Sequence, residues 1–206
     1  MNEITSITPQ TKDKRRCNIY IDGRFYCGLT LETTVKNRLK VGQIITPERL
    51  AEIQLQSEKD TAFDKALTHL SATRKTEKQI RTFLEGKGYL SAVCDYVVEK
   101  LREYRFVDDG EYAEAYVEYA ARRKGGRLIR AELRGKGIAD EEIDNALQQL
   151  DSQTEIASAT EILQKYMRGK VCDAPTLQKA YRYLMSKGFD YETAKTALRA
   201  FGDCEE

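Results

Sequence analysis

The chain has 206 residues, of which 34 are Lys or Arg, 33 are Asp or Glu, one is His and three are Pro. That length suits one or two compact domains with a buried core, and abundant charge, Ala, Leu and Gln with little Pro points to solvent-backed amphipathic helices. No membrane-spanning run or secretory signal is visible, since the first sixteen residues end in KDKRR without an apolar stretch, so a cytoplasmic protein is expected.

The first thirty residues read as β structure. CNIYI and RFYCGL flank Asp22-Gly23, a strong hairpin signal, and ITSIT near the start can add a third strand. A two-residue turn sets Ile21 opposite Arg24 and puts the thiols of Cys17 and Cys27 on opposite sheet faces. The five cysteines (Cys17, Cys27, Cys94, Cys172, Cys204) are scattered without a Cys-x-x-Cys pair, so reduced thiols and no zinc framework are expected. LETTVKNRLK, residues 31 to 40, predicts a short helix closed before Gly42. TPERLAEIQ starts another, with Thr46 as N-cap and Pro47 in the first helical position.

From about residue 60 the pattern is helical and it recurs. QIRTFLEGKGYLSAVCDYVVEKL from residue 79, LIRAELRGKGIADEEIDNALQQL from 128 and KAYRYLMSKGFDYETAKTALRAF from 179 share a Leu, then Lys-Gly, then a bulky apolar residue. Each Lys-Gly marks a helix end, with Gly88, Gly137 and Gly188 in the left-handed conformation. Ser91, Asp140 and Asp190 are the expected N-caps of the helices that follow. Their apolar stripes keep one spacing: Cys94, Val97, Val98, Leu101; Ile143, Ala146, Leu147, Leu150; Ala194, Ala197, Leu198, Phe201. Counting back from Leu84, Leu133 and Leu184 finds a preceding helix in each unit, carrying Phe63, Ala66, Leu67, then Tyr112, Ala115, Tyr116, then Leu163, Tyr166, Met167. The fold class expected is therefore mainly α: tandem three-helix repeats in an elongated curved array, with a small N-terminal β-hairpin region. The expected divisions are 1–55 for the hairpin and short helices, then 56–107, 108–151 and 152–206 for three repeats.

Catalytic chemistry has little support. His69 has no identifiable partner, Asp108-Asp109 sits where a helix begins and reads as a cap, and Gly125-Gly126 is too lone a pair for a phosphate cradle. Charge is more informative. Between Arg122 and Lys136 there are seven basic residues and one acid, whereas Gly137 to Glu161 holds seven acids and no Lys or Arg. Arg122, Arg123, Lys124, Arg127, Arg130, Arg134 and Lys136 form one candidate anion-contact cluster, and Arg74, Lys75, Lys78 and Arg81 a second at the equivalent place in the first repeat. Repetition suggests a basic track suited to a long anionic polymer. Tyr112, Tyr116 and Tyr119 follow helical spacing and read as core.

The stretch LREYRFVDDGEYAEAYVEYAARRKGGRLIRAELRGKGIADEEI resembles the RecX family, regulators of the bacterial recombinase RecA. RKTEKQIRTFLEGKGY resembles that family's first-repeat opening, with Thr76 and Gln79 forming a capping box, and CNIYIDGRFYCGL resembles its N-terminal hairpin. The third repeat is the loosest match, with Lys179-Ala180 at its start and Pro175 at its helix entry. The resemblance implies a non-enzymatic regulator without cofactor or metal, monomeric when free, that binds RecA and RecA-DNA filaments along their helical groove. It implies restraint of filament extension, ATP hydrolysis and strand exchange in recombination and repair, and leaves direct contact with single- or double-stranded DNA open. The competing reading is a stand-alone nucleic-acid-binding helical-repeat protein.

Overall fold

The structure, a computed structural model, describes residues 2–202, so Cys204 lies outside the described residues. It has an antiparallel sheet ordered β1-β2-β3, followed by helices to the last described residue. Two compact units are present: one runs to Thr73 and includes Ile80–Phe106, and the other joins Arg74–Gln79 to the chain from Val107 onward.

In the first unit β1 (Ile4–Pro9), β2 (Arg16–Ile21) and β3 (Arg24–Thr30) make the sheet. Asp22 and Gly23 both take positive φ, 47° and 78°, as a two-residue hairpin turn of this hand requires. The pairing runs Ile21 to Arg24 and Tyr20 to Phe25, then jumps to Ile19 with Cys27. Tyr26 is thus an extra residue on β3, and the bulge reverses the alternation. This corrects the expected placement of the thiols: Cys17 and Cys27 are both buried with Ile19 and Leu29 in one core. Both are free thiols, and burial pushes that of Cys27 up to about 11, which keeps it protonated and unreactive.

Helix α1 (Leu31–Lys36) is shorter than predicted, because Arg38 takes a left-handed φ of 52° and turns Leu39 into the core. Helix α2 (Pro47–Leu70) starts as its sequence indicates: the Thr46 side chain accepts the Arg49 N–H at 3.2 Å, with Pro47 in the first turn. It runs through residue 55 without a break, packing on β3 and on α4. The helices α3 (Glu77–Gly86) and α4 (Ser91–Glu103) follow, and α4 buries Val93, Cys94, Val97, Val98 and Leu101.

The second unit contains α5 (Asp109–Ala120), α6 (Gly126–Gly135), α7 (Asp140–Gln148), α8 (Ser152–Met167), α9 (Ala174–Ser186) and α10 (Tyr191–Gly202). Two apolar clusters fill it, one under α5 to α7 and one under α8 to α10. In α5 the buried residues are Ala113, Val117 and Ala120, while Ala115 is exposed. The connection 121–125 is one residue shorter than 71–76 and 168–173, so a fixed count back from Leu133 falls off the buried stripe.

All three Lys-Gly turns close alike. Gly88, Gly137 and Gly188 have φ of 86°, 91° and 89°, and the next residue's N–H reaches back to the carbonyl of Leu84, Leu133 or Leu184. The following cap residue stands two positions after the glycine. It is Asp190 in the third repeat, where its carboxylate accepts the Thr193 N–H at 2.7 Å. In the other two it is Leu90 and Ala139, so Ser91 and Asp140 are first helical residues and not the caps expected.

Candidate basic contact surface

The first turns of α3 and α6 are built by one pattern. Thr76 and Gln79 make the expected capping box, with Thr76 N–H donating to Gln79 Oε1 at 3.1 Å and Gln79 N–H to Thr76 Oγ1 at 3.3 Å. The Thr76 hydroxyl also donates to the Lys136 carbonyl at 2.8 Å, while the Glu77 N–H donates to Asp109 at 2.9 Å. One repeat later the Gly125 N–H reaches the Lys187 carbonyl at 2.9 Å, the Arg127 N–H reaches the Gly188 carbonyl at 3.1 Å, and the Gly126 N–H reaches Glu155 at 2.9 Å. Each of these helices therefore starts on the Lys-Gly turn of the repeat that follows it, with an acid from that repeat closing one more N–H. Gly125 is not a phosphate loop; a Cβ there would come within 2.5 Å of the Gly188 carbonyl.

Seating α3 and α6 in this way decides which cations are available. Lys78 donates to the Gly135 carbonyl at 3.3 Å, and its stem lies against Gly137. Lys124 is bound into a half-buried group: its ammonium contacts both Glu132 oxygens at 2.6 and 2.7 Å, and the Tyr116 hydroxyl donates to Glu132 at 2.6 Å. Burial pushes the Glu132 carboxyl up, but Lys124 and Tyr116 outweigh it and hold the group below its usual range. Lys136 lies over the rings of Tyr112 and Tyr116, 5.6 and 5.4 Å from their centroids. Its counterparts Lys187 and Lys87 lie over Tyr183 and Phe83 in the same manner.

The acidic stretch after Lys136 also folds back. Arg130 pairs with Asp144, Arg134 with Asp140 at 2.5 Å, and in the first unit Arg81 pairs with Asp95 at 2.5 Å. What remains is Arg74, Lys75, Arg122, Arg123 and Arg127, for which no ion pair occurs among the described residues. All but the half-buried Lys75 are exposed. Arg74 and Arg122 line one cleft of about 670 Å³ beside α5, together with Glu111, Glu114 and Glu118. Arg127 stands near Asp190, whose carboxyl is held below its usual range by the Thr193 N–H first and by Arg127 in part. Tyr112 and Tyr116 are partly buried against the apolar cluster, as their spacing suggests, whereas Tyr119 is 67% exposed. His69 is stacked on Phe83 with ring centroids 4.0 Å apart.

Asp108 and Asp109 both act at helix starts, but on different helices. Asp108 accepts the Glu111 N–H of its own helix at 2.9 Å, whereas Asp109 caps α3. Burial is the main force that raises the Asp109 carboxyl to about 6, against the opposing Glu77 N–H and with help from the carboxylates of Glu77, Glu142 and Asp108. Because this folded-state pKa lies above the unfolded one, the stability it confers is complete below pH 4 and is lost as pH rises through 6. Asp109→Asn, which keeps an acceptor for the Glu77 N–H, is therefore expected to stabilise the protein at pH 7.5. Solvent screening of a half-buried carboxylate keeps the gain to roughly 1 kcal/mol. Thermal melts of both proteins at pH 4.5 and 7.5 check this, the advantage of the variant growing with pH.

Comparison with known proteins covers the chain almost end to end. The Regulatory protein RecX N-terminal domain matches residues 2–46, and the first, second and third three-helix domains of RecX match 62–101, 108–147 and 153–198. Regulatory protein RecX of Clostridium beijerinckii is 32% identical over 97% of this chain and 95% of its own length. That of Clostridium tetani is 31% identical over 96% and 94%. A crystal structure of regulatory protein RecX superposes with a TM-score of 0.74 at 28% identity, covering 95% of this chain and 98% of that one.

Proposed function

The chain belongs to the RecX family, and from that membership we propose that it regulates a RecA-type recombinase by binding the protein and its filaments on DNA. The observation that carries this reading is the relatedness to regulatory RecX proteins over nearly the whole length. Regulation of this kind needs no bond-making chemistry. A protein that binds one filament state more tightly than another shifts the balance between them by its difference in affinity alone. The reading is a brake: extension slows, and ATP hydrolysis and strand exchange fall with it.

Within this proposal Arg74, Lys75, Arg122, Arg123 and Arg127 make the contacts with anionic groups of the filament, because no direct ion pair holds their side chains among the described residues, although Glu111, Glu114 and Glu118 line the cleft of Arg74 and Arg122 and Asp190 lies near Arg127. Lys78, Arg81, Lys124, Arg130, Arg134 and Lys136 hold the fold and shape the surface around them. The near-neutral total charge favours a protein partner over DNA alone.

The test is a titration into recombinase, ATP and single-stranded DNA, following phosphate release and filament length. Substoichiometric addition is expected to lower hydrolysis and shorten filaments. Unchanged filaments, with tight and steeply salt-dependent binding to bare DNA, would replace this reading with that of a stand-alone nucleic-acid binder.

A further inference from the structure

A helix start is seated on a Lys-Gly turn twice in this protein, at Lys136-Gly137 and at Lys187-Gly188. The third turn, Lys87-Gly88, has the same backbone and the same lysine drawn aside over an aromatic ring, 5.6 Å from the Phe83 centroid. Yet among the described residues nothing sits on it. A Cβ at Gly88 would meet no atom within 4 Å, whereas at Gly137 it would meet the Lys78 stem and at Gly188 the Leu128 backbone. Among the described residues no hydrogen bond reaches the Lys87 carbonyl, the counterpart of the two that accept from Thr76 and Gly125. The cap position after the turn adds a second sign. Where the other repeats have Ala139 and Asp190, this one has Leu90, a large apolar side chain left 70% exposed.

We propose that the turn formed by Lys87, Gly88 and Leu90 is a docking surface for the first turn of an α-helix on a partner protein. The match is chemical. The turn offers bare carbonyls at the negative end of α3, and a helix start offers N–H groups at the positive end of its own dipole. The two internal copies show what suits it: a cap residue that is glycine or bears a hydroxyl, followed by atoms of the first turn that cover the glycine, the Lys78 stem at Gly137 and the Leu128 backbone with its Cβ at Gly188. Leu90 supplies the apolar contact beside this polar seat.

A second copy of the chain is not the occupant. The last repeat's second helix, α9, would have to supply the start, and its cap is Asp173, a carboxylate with no proton to give to a carbonyl at the negative end of α3, where the Thr76 hydroxyl donates in the internal copy. Its second residue is Pro175, where α6 has Arg127, so it lacks the N–H that bonds to Gly188. The repeat pattern therefore ends at α9 and stays open at α3. The occupant is a different protein and, resting on the function proposed above, a helix start on the recombinase.

Leu90→Asp tests the surface without loosening the fold, because Leu90 already has the extended backbone of an N-cap and Asp190 fills the equivalent position in the third repeat. Affinity of the full-length variant for recombinase filaments on single-stranded DNA, read by anisotropy of a labelled chain, is expected to fall about tenfold or more. Its melting temperature should equal or exceed the parent's. Equal affinity of parent and variant would overturn the docking surface while leaving the proposed function intact. A parent that fails to bind filaments at all would overturn both. Concentration-dependent oligomers of the parent in sedimentation, abolished in Leu90→Asp, would overturn the choice of a foreign partner.

Discussion

Gly188→Ala is expected to destabilise the protein by about 3 kcal/mol or more, against about 1 kcal/mol for the same change at Gly88. Both glycines have a φ close to +90°, so both substitutions incur the cost of a left-handed backbone. Only at Gly188 does the added methyl also run into the backbone of Leu128, which has no freedom to withdraw because Arg127 is hydrogen-bonded to Gly188 itself. Gly137→Ala should fall between the two. Its Cβ would meet Lys78 Cδ and, at 2.6 Å, Lys78 Cβ; the Cδ can swing aside, whereas the Cβ moves only with the helix, so relief is partial where at Gly188 two of the three nearest atoms are backbone. Urea titrations of the three variants, followed by helical ellipticity, give the order directly. Equal losses at the three positions would mean that turn conformation alone explains the repeated glycine.

Reversing Arg122, Arg123 and Arg127 together to glutamate is expected to weaken filament association by an order of magnitude or more, with stability nearly unchanged. These guanidinium groups are exposed and make no ion pair among the described residues, so their removal strands no buried charge. Reversal also places repulsion where attraction is proposed, and the effect should shrink as salt is raised. Lys124→Met is the informative control. It leaves Glu132 half-buried beside Tyr116 without its cation, so its cost should appear in the melting curve and not in filament affinity. If the triple variant restrains recombinase ATP hydrolysis at the same concentration as the parent, these arginines take no part.

Local chemistry was legible in the sequence wherever one residue type has one structural use. Asp22-Gly23 gave the hairpin, Thr46-Pro47 the start of α2, Thr76 and Gln79 the capping box, and the Lys-Gly pairs the helix ends. Errors arose where the answer depends on a neighbour distant in sequence or on a one-residue slip. The bulge at Tyr26 moved Cys27 to the core face, and the short 121–125 connection shifted the buried side of α5. Charge was the least legible feature. The run from Arg122 to Lys136 is acid-poor along the chain, but α7 returns Asp140 and Asp144 to its side, and Glu132 sits within it. That Asp109 and Glu155 cap helices of the preceding repeat had no signal in their own surroundings. Only alignment of the repeats at the helix starts of Glu77 and Gly126 could have suggested it.

Helix α2 is 24 residues long, a rod of about 36 Å that packs on both β3 and α4. Cutting the chain at residue 55 would sever this rod in mid-span, so the hairpin cannot be removed as a detachable module without fraying the packing of the first repeat. The sheet and the first repeat thus share one continuous helix, and their stabilities are tied together through it.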